Sequence, residues 1–264
     1  MALFQKKPKR DPIPGLIGEA QDYSIYIPTI KEKMLWFIVG MIVSGAVLYL
    51  FYESFFVSLI AGALCGIAFV PIRTRQMITK RRRKLTMQFR ELLDALSTSI
   101  GAGKNVQDAF QDAVDDLAVQ FTKDCDIVRE LEIICAGMYN NIAIEDLLMN
   151  FAQRSNVEDI ANFANVFSTC YRKGGNINEV IKNTAEIIGD KIEIKMELET
   201  MVAGQKNEMN IMLVMPALFI VVMKSMGGGL IDLSSVVGVL SVTGALLIFI
   251  AAYFAGKWIT NIKL

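Results

Sequence analysis

Gly103-Lys104-Asn105-Val106-Gln107-Asp108-Ala109-Phe110 returns later in the chain as Gly174-Gly175-Asn176-Ile177-Asn178-Glu179-Val180-Ile181, alike in class at every position but the second. In both copies a Gly stops one helix in a left-handed turn and an Asn caps the next. An acid three residues on can then reach back to the exposed amides. The phrase is a helix stop followed by a helix start, so its recurrence predicts a series of packed helices. A weaker version stands at Asn141-Ile142-Ala143-Ile144-Glu145. Cap chemistry alone produces much of this likeness, and internal duplication and independent capping both stay open.

Working outward from these junctions, Leu85, Phe89, Leu92, Leu93 and Leu96 recur at helical spacing until Gly101 and Gly103. After Asn105 an apolar stripe of Val106, Ala109, Phe110, Ala113, Val114 and Leu117 follows, with Asp108, Asp112, Asp115 and Asp116 facing elsewhere. This acidic stripe reads as a solvated face, and alternatively as a docking surface for a basic partner or a loose divalent-cation site. Further helices are predicted over Asp124 to Met138, Ile142 to Arg154 and Val157 to Arg172, the last turning Ile160, Phe163, Phe167 and Tyr171 inward, and a long one starts at Asn176. Ile192, Ile194, Met196 and Leu198 alternate with charges as a strand would. Helix is the better reading there, because a lone strand has nothing to pair with. Residues 85–205 are thus expected to form a helical bundle.

The flanks are of another kind. The chain is 53% hydrophobic with a mean hydropathy of +0.40, too apolar for an ordinary soluble domain. Met34 to Tyr52 and Ser54 to Ile72 carry no charge, and each is long enough to cross a hydrocarbon core of ~30 Å. Only Glu53 separates them, so 34–72 reads as a tight hairpin, closed by Pro71, whose Gly62 and Gly66 offer a surface for close helix approach. A third span is expected at about 207–226, with Pro216 as a kink and Lys224 snorkelling at its end. Gly227 to Gly229 break that helix, Asp232 and Ser234 lie in the outer turn, and a fourth span covers 236–256. Residues 1–33 hold Pro8, Pro12, Pro14 and Pro28 and read as an irregular arm. Within the arm Tyr23, Ile25 and Ile27 belong either to a loosely packed tail or along lipid headgroups. No secretory signal is expected behind Lys6, Lys7, Lys9 and Arg10.

Arg81, Arg82 and Arg83 stand in a basic linker, 73–84, that marks the cytoplasmic side of the second span. The same rule puts both termini and the central bundle in the cytoplasm. The arginines can also serve as a partner surface or attract anionic lipid. Nucleic acid is not expected, since the cluster abuts the bilayer.

The chemistry of catalysis is missing. The chain has no His and 4 Cys in no close pairing, which removes His-based nucleophile triads and most zinc sites. Gly101-Ala102-Gly103-Lys104 ends like a phosphate-binding loop, but GxxxxGK[ST] needs Gly at Thr98 and Ser or Thr at Asn105. No enzymatic activity, cofactor or metal is expected.

The arrangement resembles the type II secretion system F family. It has two spans, a basic linker, a helical domain carrying Leu93 to Asn105 (LDALSTSIGAGKN) and Arg172 to Ile181 (RKGGNINEVI), then two more spans. With a single such domain the chain is most similar to the platform subunits of tight-adherence (Tad/Flp) pili. The resemblance implies an all-α integral membrane protein of a bacterial or archaeal cytoplasmic membrane, with four transmembrane helices and a bundle of about six. It also implies a non-enzymatic platform that engages a cytosolic secretion ATPase, pilin subunits, and a second platform subunit or itself. In it the long helix after Asn176 joins the bundle to the third span and transmits motion. Gly103, Asn105, Gly174, Gly175 and Asn176 are structural helix junctions. Arg81 to Arg83 and the four aspartates of the stripe are the candidate partner residues. The alternative is a stator-type subunit of an ion-driven motor or energy transducer, whose polar lining Ser44, Ser241 and Thr243 supply thinly.

Overall fold

A computed structural model describes residues 13–17, 20–25, 28–52, 54–122, 124–225 and 236–260. The described residues are all-helical: α1 (Ile30–Tyr52), α2 (Phe55–Gly101), α3 (Val106–Gln120), α4 (Asp126–Tyr139), α5 (Ile144–Ser155), α6 (Glu158–Lys173), α7 (Ile177–Met201), α8 (Ala203–Ser225) and α9 (Val236–Thr260). The alternating stretch from Ile192 to Leu198 is helical, inside α7. Contacts divide the chain into two units, Met1–Ile27 with Gln76–Glu193, and Pro28–Arg75 with Ile194–Leu264.

The first unit is the expected bundle. Its core joins Leu85, Phe89, Leu92, Leu93 and Leu96 of α2 to the α3 stripe from Ala109 to Leu117. It continues through Leu131 and Ile134 of α4, Leu147 and Phe151 of α5, Ile160, Phe163 and Phe167 of α6, and Ile181 and Ile188 of α7. Phe89 meets Phe163 edge-on at 5.4 Å between ring centroids, and Phe167 follows Phe163 at 5.5 Å. Each such pair adds ~0.5–1.5 kcal/mol beyond its buried area. Tyr171, expected inward, is partly exposed and stacks flat on Phe167.

In the second unit α1 lies against α8 and α9, and α8 against α9. The small residues of the α1–α2 hairpin explain its close packing. A Cβ on Gly62 would stand 3.1 Å from the Met41 carbonyl oxygen and 3.2 Å from the Gly45 Cα. A Cβ on Gly66 would stand 3.0 Å from the Phe37 carbonyl oxygen. The Gly62 and Gly66 surface therefore receives the chain's own first helix. Ser44 bridges the same seam, its hydroxyl 2.6 Å from the Gly40 carbonyl oxygen and 3.3 Å from that of Gly62. Two described helices, Ile30–Tyr49 and the apolar part of α2, are long and apolar enough to cross a membrane.

Two boundaries differ from the sequence reading. Pro71 does not close a hairpin; it lies inside α2. The basic linker of 73–84 is likewise helical, so the second apolar run and the first bundle helix are one element. A proline early in a charged stretch reads as a breaker, yet it costs only one backbone hydrogen bond and a local clash. The outer turn from Gly227 to Ser234, the side chain of Lys224, and Lys6, Lys7, Lys9 and Arg10 lie outside what the structure describes.

Candidate partner-docking surfaces

Both copies of the repeated phrase fold alike. Gly103 and Gly174 take left-handed φ of +86° and +70°, which a side chain would strain. The next residue donates five positions back, Lys104 N to the Ser99 carbonyl at 3.2 Å and Gly175 N to that of Cys170 at 2.8 Å. This is the Schellman lock of a helix end. Asn105 Oδ1 then accepts from Asp108 N at 2.8 Å, and Asn176 Oδ1 from Glu179 N at 3.3 Å. The acid does not return to a backbone amide, as the capping pattern suggested. It accepts from the Asn side chain instead, at 2.7 Å for Asp108 and 3.3 Å for Glu179. The weaker third copy is out of register. Asn141, not a glycine, holds φ +60°, and Ile142 N donates to the Gly137 carbonyl at 3.0 Å. Asn141 thus plays the part of Gly103, not of Asn105, as short polar residues that tolerate the left-handed region can.

The two motifs also meet: Ser97 Oγ lies 3.2 Å from Asn178 Oδ1, where the hydroxyl is the only possible donor. The junctions thereby hold the end of α2 to the start of α7.

The acidic stripe divides. Asp112 takes Lys104 Nζ and, at 3.3 Å, the Ser99 hydroxyl. The Lys104 hydrogen bond holds the Asp112 carboxyl below its usual range, and the same bond raises Lys104. Asp112 is therefore tied to the first junction. Asp108 serves its own cap but is exposed, as are Asp115 and Asp116.

The arginine run divides too. Arg81 does not reach outward: its Nε and Nη2 donate to the two oxygens of Asp126 at 3.2 and 2.8 Å, and Nη2 also reaches Gln21 Oε1 at 2.6 Å. Its guanidinium lies 4.7 Å from the centre of the Tyr23 ring. Arg82 is half-buried, and burial lowers its guanidinium from the usual value while Asp22 opposes the shift. Arg83 is exposed.

Tyr23 marks what the sequence reading missed. It is neither in a loose tail nor beside lipid but 2% exposed within the bundle core. Residues 13–17 and 20–25 form a strap. Tyr23 N donates to the Arg154 carbonyl at 3.0 Å, and Tyr23 OH to Glu130 Oε1 at 3.0 Å. Burial, and next the charges of Glu130 and Asp126, raise that phenol well above its ordinary value. Glu130 and Arg154 form a two-pronged ion pair, each side chain 1% exposed. Arg154 Nη1 reaches Glu130 Oε1 at 2.7 Å and the Gln21 carbonyl at 3.1 Å, and Nε reaches Asn150 Oδ1 at 2.7 Å. Each of the three guanidinium nitrogens has a partner, which favours the toleration of a buried charge. Glu130 and Arg154 each occupy a buried position of an otherwise apolar stripe, which is the signal that could have found them.

Among the described residues no group of three metal-ligating side chains converges. A family model described as type II secretion system (T2SS), protein F, matches residues 86–223, just over half the chain, and the chain belongs to that family. No curated protein and no solved structure matches it. The family and the two membrane-length helices together make this a membrane protein of secretion machinery.

Proposed function

We propose that the chain is a non-enzymatic platform subunit of a type IV pilus-like machine of the tight-adherence kind, coupling a cytosolic secretion ATPase to the assembly of pilin subunits. The family match over 86–223 carries this reading. In it α1, the apolar part of α2, α8 and α9 each cross a bacterial or archaeal cytoplasmic membrane. The bundle and both termini face the cytoplasm, where the basic residues of 73–84 are retained during insertion. Of the exposed acids of α3, Asp116 is the one we assign to the ATPase, together with Arg83. The chain supplies no hydrolytic chemistry of its own, so motion comes from that partner and reaches the membrane helices through α2 and through α7 with α8.

The test is co-purification of the full chain in nanodiscs with the cognate secretion ATPase, together with pilus counts after deletion of the gene. Copurification that is weakened by Asp116→Lys, and loss of pili on deletion, are expected. Normal piliation without the gene, or no ATPase retained, refutes the proposal.

A further inference from the structure

Helices α3 and α4 form a hairpin, and a groove of about 400 Å³ opens between them, lined by Gln111, Val114, Glu132, Cys135, Ala136 and Tyr139. Its floor carries no charge. Val114 is buried, and burial, aided by Glu132, pushes the Cys135 thiol up to about 11. Its rim is acidic. Asp108 and Asp115 flank Gln111 at helical spacing and so share its face of α3, and both are exposed, as is Glu132 across the groove. Tyr139, 85% exposed, stands at one end. An apolar floor between carboxylates fits a helix that presents an apolar side chain between cations.

The chain itself carries such a helix face. Lys80, Lys84 and Met87 follow one another along one exposed stripe of α2, and Met87 is 47% exposed. Depth along the bundle also agrees. Contacts of Ser99 with Asp112 and of Glu91 with Gln120 run α3 antiparallel to α2. The α3–α4 hairpin reverses direction again, so α2 and α4 run the same way. Arg81 and Asp126 are paired at one level, and Met87 lies as far beyond Arg81 in sequence as Glu132 lies beyond Asp126. Two copies standing side by side in one membrane share their up-down sense. Met87 of one copy is then level with the groove of the other.

We infer that copies of this chain associate head to tail, with the Lys80, Lys84 and Met87 face of one α2 seated on the acidic α3–α4 groove of the next copy. The two surfaces are different, so the contact is heterologous and either closes into a ring or continues as a row. It leaves Asp116, on another side of α3, to a different partner, and it does not depend on the ATPase reading.

The test uses the full chain in isolated membranes, as two differently tagged copies without the ATPase. One copy carries Met87→Cys and the other Gln111→Cys, both with Cys135→Ser so that no native thiol lines the groove; the Cys135→Ser chain is the blank. Mild oxidation is expected to give a disulfide-linked heterodimer in that combination alone. Lys84→Glu in the first copy should lower its yield several-fold at low salt, and Asp115→Lys in the second should restore it. The yield should also fall at ~1 M salt, where charges are screened beyond ~3 Å. A heterodimer no more abundant than the blank overturns the inference. So does a yield indifferent to Lys84→Glu, or Gln111→Cys linking to itself instead, which would place a two-fold contact there.

Discussion

Arg154→Met removes a guanidinium that is 1% exposed and leaves the equally buried Glu130 carboxylate with the Tyr23 hydroxyl as its remaining described partner. Breaking a buried ion pair on one side costs about 3–5 kcal/mol, because the surviving charge is neither paired nor solvated. The double change Glu130→Met with Arg154→Met removes both charges. It leaves only neutral groups short of partners, chiefly the Gln21 carbonyl and the Asn150 side-chain oxygen, at roughly 1–3 kcal/mol in all, while the Tyr23 hydroxyl keeps the Asp126 carbonyl at 3.3 Å. The double variant is therefore expected to be more stable than Arg154→Met alone. Cys125, buried beside Asp126, is a native reporter of opening at this corner. Its labelling by a thiol reagent, read by mass spectrometry on the full chain, follows the open population when closing is fast. At about 1.4 kcal/mol per factor of ten, Arg154→Met should speed labelling by roughly two to three and a half orders of magnitude. At the middle of the two ranges the double variant should return roughly 25-fold of that. A single variant that labels less than tenfold faster, or a double variant worse than Arg154→Met, would refute the assignment of this pair as a buried, mutually dependent charge pair.

Gln88 is 2% exposed and neither amide atom finds a hydrogen bond among the described residues, so Gln88→Leu should stabilise the bundle by about 1–3 kcal/mol; a lower melting temperature would mean the amide is satisfied. For Lys104 and Asp112 the sign follows from both partners. The lowered Asp112 makes the pair's contribution present above its usual 3.8 and lost as pH falls through its folded value; the raised Lys104 makes it present below 10.5 and lost at higher pH. The stability difference between the native chain and Lys104→Ala should accordingly stay constant from about pH 5 to 9 and close below the carboxylate range. A difference that varies through neutral pH contradicts this. Gly62→Val would push a side chain against backbone atoms of α1 that cannot yield. A loss of about 1–3 kcal/mol is expected, read as a lower melting temperature in nanodiscs; an unchanged one would show that the α1–α2 seam is looser than described.

What was legible in the sequence is what local chemistry decides. A left-handed Gly, an Asn cap and an acid three residues on are satisfied within one turn, so Gly103 to Asp108 and Gly174 to Glu179 could be placed from their residue types alone. The apolar stripes of α3 and α6 were readable for a related reason: burial at helical period is a property of one segment. Asn141 shows the limit. The same letter can end one helix or begin the next, and only the φ it adopts, set by where α4 runs out of packing, tells the two apart. The continuity of α2 through Pro71 was hidden because a proline weighs heavily in a local reading. Neighbouring turns still held the helix.

The strap was illegible for a deeper reason. Little near Tyr23 in sequence asks for burial in the bundle: it follows Pro8, Pro12 and Pro14 and stands between Asp22 and Ser24, and its partners Glu130 and Arg154 are distant in the chain. Read singly, each of the three looks like a solvent-facing group, and burying any one alone is costly. Together they cancel. Arg154 neutralises Glu130, Tyr23 OH donates to the same carboxylate, and the strap's backbone takes up the donors and acceptors that remain. Such a cluster is stable only when all its members are present, so a segment read alone shows at most a charge at a position of its apolar stripe, as Glu130 and Arg154 do. Any other register of the strap would take the Tyr23 hydroxyl and the Gln21 carbonyl away from this ion pair. The polar cluster therefore helps to specify where residues 13–17 and 20–25 lie on the bundle.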